Sequence, residues 1–213
     1  MTVETMNVHQ ALCELKTLDK RITAAIRESQ WVITCKHSST KVSGVDVKEW
    51  KDTTKANYQK AMDLIRRRDA IKRAVVNSNA VTKVTVAGVE YTVAEAIDRK
   101  NHGVAFLEML AQRLAYDLTN AKAKAERENG MDLERRADDH VRIMIGNSDM
   151  KGATAEAQRL RREFIEAQTT ELIDPIGAQK MIEELDKETS EFLMNVDAAL
   201  SVSNAVTNIV VEY

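Results

Sequence analysis

The side chains with the most evident chemistry are arginines that cluster on two predicted helices. One cluster contains Arg66, Arg67 and Arg73, and the other contains Arg159 and Arg162. Guanidinium groups bind phosphate oxygens through paired hydrogen bonds, so these clusters could recognise an anionic small molecule. The alternative is that they are solvated or paired with acidic residues on neighbouring helices, as most surface arginines are.

Two tryptophans, Trp31 and Trp50, flank a polar segment at residues 36–44. Tryptophan most often anchors a hydrophobic core. With arginines nearby, it can also stack on a nucleobase or another aromatic ligand. Both tryptophans are therefore candidate ligand contacts.

The pentapeptide Ser-Asn-Ala-Val-Thr occurs twice, at residues 78–82 and 203–207. Each copy follows a helical pattern and precedes a β-branched run. One interpretation is structural: short polar side chains end a helix, and two strands of one small sheet follow. The other is that the two polar turns converge on a ligand, with Asn79 and Asn204 as contacts.

No motif in the sequence supports catalysis or metal binding. The four histidines are isolated, the two cysteines are not paired for zinc, and no phosphate-binding glycine loop is present. A nucleophile, a base and a metal cannot be assembled from these residues. We therefore expect a protein that is not an enzyme and has no catalytic residues, metal or cofactor.

Composition limits the class of protein and its partners. The 213 residues include only 7 glycines and 1 proline, which favours long helices with few turns. The 31 basic and 33 acidic residues give a net charge of −2, so a nucleic-acid partner is not expected. No apolar stretch is long enough to span a membrane. With no signal peptide visible, we expect a cytoplasmic protein without a membrane partner.

Periodicity and turn residues predict the elements that carry these side chains. The clearest signal is a β-hairpin around Ala87-Gly88, followed by a capping box from Thr92 to Glu95. Residues 131–150 are ambiguous between strand and helix. Helices are predicted over 5–28, 46–76, 93–128, 153–173 and from the Asp174-Pro175 step to the second pentapeptide, with strands over 30–35, 81–86, 89–92 and 209–211.

These elements predict an α+β fold that is mainly α. Long antiparallel helices would carry a small antiparallel β-sheet or hairpin at one end. We expect one helix-rich domain over residues 1–213, with a hinge near residues 129–150.

Two segments carry a resemblance to known proteins. Residues 86–100 resemble small helical proteins of phages and bacteria, in which a hairpin leads into a Thr-capped helix. The segment from Glu183-Glu184-Leu185-Asp186 through the second pentapeptide is similar to the end of the septicolysin-like family. The resemblance implies a small helical protein, phage-encoded and acting in the bacterial host cytoplasm.

The leading functional expectation is a helical binding protein that self-associates into a homo-oligomer. The apolar strand Ile209-Val210-Val211 would offer an edge for pairing with another subunit. One alternative is a sponge that sequesters an anionic nucleotide signal and so counters host antiviral defence. A second alternative is a virion or assembly component.

Overall fold

The computed structural model describes residues 2–146 and 154–213, and it confirms a mainly α fold with small antiparallel two-stranded sheets. A π-helical turn, Arg99–Gly103, connects the third helix to the fourth. The elements are β1 (Val3–Asn7), α1 (Val8–Glu28), β2 (Lys41–Val42), β3 (Val45–Asp46), α2 (Val47–Val81), β4 (Lys83–Val86), β5 (Val89–Thr92), α3 (Val93–Asp98), α4 (Val104–Asn129), α5 (Met131–Ile145), α6 (Thr154–Gln168), α7 (Ala178–Val206) and β6 (Asn208–Glu212).

The chain divides into two compact units. Unit 1 comprises Met1–His102 and Glu191–Tyr213, and unit 2 comprises Gly103–Ser190. The division therefore falls after residues 102 and 190, whereas the sequence prediction placed a hinge near 129–150. Residues 147–150 of that predicted hinge lie outside the described residues.

The core of unit 1 forms where α1 and α2 pack together and enclose one face of the β1–β6 ribbon. Leu18, Ile71 and Val211 are completely or almost completely removed from solvent. Each such side chain contributes about 1.5–3 kcal/mol through burial, so this cluster is the main source of stability in unit 1. Ile209 and Val211 alternate with exposed neighbours along β6, which gives the ribbon one buried face.

Strand β1 was not predicted from the sequence. Residues 5–7 were assigned to the first helix, but they belong to β1, which pairs antiparallel with β6 so that Met6 lies opposite Ile209. Asn7 ends the strand and caps α1: its side chain accepts from the Gln10 backbone N–H (2.8 Å), and the Gln10 side chain accepts from the Asn7 backbone N–H (3.1 Å).

The strand predicted over residues 30–35 is wrong, because this segment has no regular secondary structure. Trp31 folds back on the end of α1 and donates its indole N–H to the carbonyl oxygen of Ile26 (3.1 Å). That carbonyl lies in the last turn of the helix, where no backbone N–H of the helix is available to donate to it. The Trp31 indole therefore supplies a hydrogen bond to a carbonyl at the end of α1 that the helix itself leaves unpaired.

The two pentapeptides lie at equivalent places, but they are not turns. Helix α2 continues to Val81 and α7 to Val206, so the first four residues of each copy form the last helical turn. The prediction that α2 ends at residue 76 is therefore wrong. In each copy the threonine N–H donates to the carbonyl of the serine four residues earlier, Thr82 to Ser78 (2.8 Å) and Thr207 to Ser203 (2.9 Å).

The strands that follow the two copies belong to different sheets, which corrects the prediction of one shared sheet. Strand β4 pairs with β5, and β6 pairs with β1. Each partner strand leads into a capped helix, and the first backbone N–H of that helix donates to the carbonyl of the pentapeptide threonine. Val93 donates to the Thr82 carbonyl (2.9 Å), and Val8 donates to the Thr207 carbonyl (2.9 Å).

The chain thus contains one structural unit twice: helix, strand, antiparallel strand, capped helix. The registers agree, because Lys83 lies opposite the cap Thr92 and Asn208 lies opposite the cap Asn7. The capping boxes also agree, with Glu95 in one copy and Gln10 in the other.

The hairpin turn of the first copy confirms its prediction. Ala87 (φ +51°) and Gly88 (φ +81°) both have left-handed backbone conformations, as a two-residue type I′ turn requires. In the second copy the ribbon is joined by no such turn. Thr2 and Tyr213 instead exchange two backbone hydrogen bonds, of 2.8 and 3.1 Å.

Unit 2 is built from packed helices. Residues 131–145, which were ambiguous in the sequence, are helical, and Leu133, Ala137 and Val141 form the buried stripe of α5. On the adjoining α6, the ring of Phe164 stacks on His140 at 4.7 Å between centroids. Within the apolar run after residue 140, only Val141 is buried, whereas Ile143 and Met144 are exposed.

The Glu95 carboxylate links helix capping to pH. Hydrogen bonds from the Thr92 backbone N–H and then its side chain hold the pKa of Glu95 below its usual value. A carboxyl whose pKa is lowered by folding stabilises the protein above its unfolded pKa, and this stabilisation is lost as pH falls through the folded pKa.

Glu95→Gln should keep the cap, as Gln10 does in the other copy, and should reduce this dependence of stability on pH. Urea unfolding midpoints, measured from about pH 7 to about pH 3, report this pH dependence. Glu28→Gln, at an exposed position, is the control and should keep the wild-type slope of midpoint against pH. An unchanged slope in Glu95→Gln would contradict the prediction.

The duplicated unit predicts that the chain tolerates a circular permutation. Thr2 and Tyr213 form a hydrogen-bonded pair of the kind that a two-residue Asn-Gly linker closes. A permuted chain with this linker, opened between Ala87 and Gly88, should fold with wild-type helical circular dichroism and lose less than about 2 kcal/mol of stability. Opening within α2 between Ala74 and Val75 should abolish cooperative unfolding. Equal loss in both permutants would contradict the equivalence of the two ribbons.

Candidate functional site

Arg67 is the most highly connected of the predicted ligand-binding residues. Its guanidinium group bonds Glu14 through two nitrogens (Nη2–Oε2 3.0 Å), contacts Glu4 at 2.9 Å and donates to the Tyr213 hydroxyl. It also lies over the Tyr213 ring, 4.8 Å from the centroid. The hydrogen bond to Glu14 is the main reason that the pKa of Arg67 lies above its usual value. The donors of this arginine are therefore committed within the protein.

The other arginines of α2 point to separate partners. Arg68 pairs with Asp19 of α1 and with Asp69, both at 3.1 Å. Arg66 pairs with Asp63 at 3.4 Å. Arg73 is exposed and has no ion-pair partner in the described part of the chain. The three predicted residues of this cluster therefore do not form one anion site.

The arginines of α6 behave in the same way within unit 2. Arg159 lies between Glu156 (2.8 Å) and Glu163 (3.5 Å) on its own helix. Arg162 is exposed and forms no ion pair among the described residues. Arg161, which was not among the predicted site residues, joins α6 to Asp138 of α5 at 2.8 Å. Acidic partners thus accompany Arg159 and Arg161 in unit 2, as they do Arg66, Arg67 and Arg68 in unit 1.

The two pentapeptides do meet at one cavity, of about 580 Å³, in unit 1. Thr82 lines it from the first copy, and Ser203 and Thr207 line it from the second. The described lining residues include no arginine, and neither Asn79 nor Asn204. Both asparagines are half-buried on the last turn of their helices. The basic residue among the described lining residues, Lys83, pairs with Glu90 at 2.6 Å. Convergence of the repeats with the arginine clusters, which the ligand interpretation needs, is not observed.

Trp31 lies in a larger, apolar groove of about 740 Å³ in unit 1. The end of α1 forms one wall, and the first half of α2 forms the other. The Trp31 ring is held edge-to-face against Tyr58, with centroids 6.3 Å apart and an interplanar angle of 86°. Trp50, on the first turn of α2, is half-buried and is not among the residues lining this groove. The main lining residues are Ile26, Trp31, Lys55, Tyr58, Met62 and Ile65.

Sequence reasoning missed this groove. Tyr58, Met62 and Ile65 follow helical spacing, which is also the pattern of a stripe that faces the core. Tyr58 is in fact 58% exposed, because the chain after α1 covers the stripe only in part. The spacing alone does not distinguish an open groove from a buried stripe, and the facing segment 30–35 was predicted to be a strand.

Unit 2 carries an apolar face that no other described part of this unit covers. Phe106, Met109 and Tyr116 of α4 are 68%, 63% and 61% exposed, and Leu110 between them is also exposed. Met109, Leu110 and Tyr116 follow Phe106 by three, four and ten residues, which places all four along one side of the helix. Arg113 lies within this face, stacked over Tyr116 at 5.5 Å and paired with Asp117 at 2.9 Å.

Neither a metal cluster nor a membrane span is found in the part of the chain that the structure describes. Residues 2–146 and 154–213 contain no group of three or more histidine, cysteine, aspartate or glutamate side chains placed to hold a metal ion. Within the same ranges, no helix combines the length and the apolar character needed to cross a bilayer.

No family model matches this chain, and comparison with curated proteins and with solved structures finds no similar sequence or fold. The resemblance to septicolysin-like and phage proteins therefore stays a prediction.

The contacts of Arg67 predict a structural role that a substitution can separate from ligand binding. Arg67→Met should lower the free energy of unfolding by about 2 kcal/mol, because it removes several charge-assisted hydrogen bonds and leaves Glu14 without its partner. Arg73→Met, at an exposed position on the same helix, should change it by less than about 0.5 kcal/mol. Urea unfolding measures both, and equal effects would show that the Arg67 network contributes nothing particular.

Proposed function

We propose that this protein is a non-enzymatic binding protein that works as a homo-oligomer, with the exposed face of α4 as the contact between copies. The observation that supports it is the row of large apolar side chains on α4, of which Phe106, Met109 and Tyr116 are each more than 60% exposed. Monomeric soluble proteins rarely leave contiguous apolar patches of this kind in water. Aromatic residues, methionine and arginine are also the types enriched at protein interfaces.

The sequence of this face is complementary to itself. In an antiparallel pairing of two α4 helices centred near Ala111, Phe106 of one copy lies opposite Tyr116 of the other. The same contact recurs on the other side of the twofold axis, where Tyr116 of the first copy lies opposite Phe106 of the second. An isologous twofold contact requires this reciprocity. The aromatic pairs add to the apolar burial.

Strand 209–211, which was expected to offer an edge to another subunit, pairs with β1 along one edge, and its Ile209 and Val211 side chains are buried in the core of unit 1. Because its apolar side chains are already buried, the exposed α4 face gives the stronger reason to expect an oligomer.

The nucleotide-sponge alternative has less support. A sponge for an anionic nucleotide would need free, convergent arginines, whereas Arg67 and Arg159 already have acidic partners. A virion or assembly component would use a self-associating face of the same kind, so the α4 surface fits that role equally well. A phage origin and a place in the host cytoplasm stay predictions.

The α4 interface predicts a loss of self-association when a charge enters its centre. Met109→Glu should weaken dimer formation at least 30-fold, or about 2 kcal/mol, because the carboxylate would be buried against apolar side chains. Sedimentation equilibrium across a range of concentrations measures the effect. Ile143→Glu, at an 81% exposed apolar position on α5, is the matched control and should leave association unchanged.

A pair of opposite charges tests the antiparallel geometry separately. Phe106→Lys and Tyr116→Glu should each weaken the dimer, and the double variant should recover part of the affinity, because position 106 of one copy faces position 116 of the other. A wild-type protein that is monomeric at every concentration would end the proposal. A dimer unaffected by Met109→Glu would move the interface away from α4.

A further inference from the structure

The groove beside Trp31 has a rigid apolar wall. The indole N–H of Trp31 is taken up by the Ile26 carbonyl (3.1 Å), and its ring is held edge-to-face against Tyr58. Trp31 therefore offers the groove an apolar surface of fixed orientation, with its only hydrogen-bond donor already used. Ile26, Met62 and Ile65 extend this surface along the two helices.

The polar groups of the groove are few and differ in availability. Gln59 donates its side-chain N–H to Asp63 (2.8 Å), which fixes the amide. Lys55 is the only charged residue among the described residues that line the groove. No acidic side chain in the described chain pairs with it. A single cation without a partner stands at the rim of an apolar groove.

The volume of the groove fits a small molecule. Its approximately 740 Å³ falls within the range of ligand sites, about 300–1,000 Å³, which are mostly apolar with a few polar groups that fix orientation. One lysine matches one negative charge. A nucleotide carries several phosphate charges and needs more donors than this lining supplies.

We infer that the Trp31 groove binds an amphiphilic carboxylate, with its apolar body against Trp31, Tyr58 and Met62 and its carboxylate on the Lys55 ammonium group. This site lies in unit 1 and is independent of the α4 face. Binding would add a small-molecule ligand to the proposed function as a self-associating protein.

Decanoate is a suitable probe, with decan-1-ol as its uncharged counterpart. In a full-length Trp50→Phe background, Trp31 is the only tryptophan, so its emission reports on the groove. Decanoate, titrated below its micelle concentration, should cause a saturable change in emission, and decan-1-ol should bind more weakly. Lys55→Met should weaken decanoate binding about tenfold without affecting decan-1-ol. Tyr58→Ser should weaken both probes.

Two controls separate this site from general hydrophobic binding and from oligomer formation. Lys72→Met, on an exposed turn of the same helix, should leave decanoate binding unchanged, and Met109→Glu should bind decanoate as the wild type does. Three results would each overturn the assignment: no saturable change with decanoate, equal binding of the two probes to the wild type, or equal effects of Lys55→Met and Lys72→Met. None of these depends on whether the protein self-associates.

Discussion

A two-stranded antiparallel ribbon is not stable by itself in water, and this constraint organises unit 1. Each ribbon must bury one face against helices. The β1–β6 ribbon does so through Ile209 and Val211, which share a core with Ile71 of α2. The β4–β5 hairpin buries Val84 and Val86 and places Tyr91 edge-to-face against Phe192 of α7, 5.7 Å away. Both ribbons are continuous with a helix on each side, so the hydrogen bonds at Thr82 and Thr207 fix the strands and the helices together.

Local signals in the sequence predicted the parts of the fold that depend on local chemistry. The turn at Ala87-Gly88 and the Thr92–Glu95 capping box were identified because each needs particular residues at fixed spacing. Strand β1 had no such signal, since it is a strand only through pairing with residues near 210. Residues 30–35 show the converse case. They are rich in β-branched side chains, but no strand of the described chain pairs with them, and β propensity without a partner does not make a strand.

The same distinction applies to the candidate site. Spacing showed that arginines cluster on α2, but it could not show that Glu4, Glu14 and Asp19, far away in the sequence, lie against them. An arginine cluster on a helix has the same sequence whether it faces solvent, a ligand or an acidic helix. The tryptophans were equally ambiguous, because the interpretation of Trp31 depends on how the chain after α1 turns back on that helix.

The duplicated unit separates the surfaces that build the scaffold from those that need another explanation. Features common to both copies, such as the caps, the threonine joints and the alternating buried residues, serve folding. The apolar face of α4 is not common to both copies. Counted from the caps Asn7 and Thr92, three of its four positions correspond to small, polar or charged residues of α1, and this holds if the π-helical turn adds one residue to the register. The fourth, Tyr116, corresponds to Trp31, or to Gln30 with that shift, beyond the end of α1. Folding of the repeated unit therefore does not require large apolar side chains at the three positions within the helix. The residues of α4 are Phe106, Met109 and Leu110, and their counterparts are Arg21, Ala24 and Ala25, or Lys20, Thr23 and Ala24 with the one-residue shift.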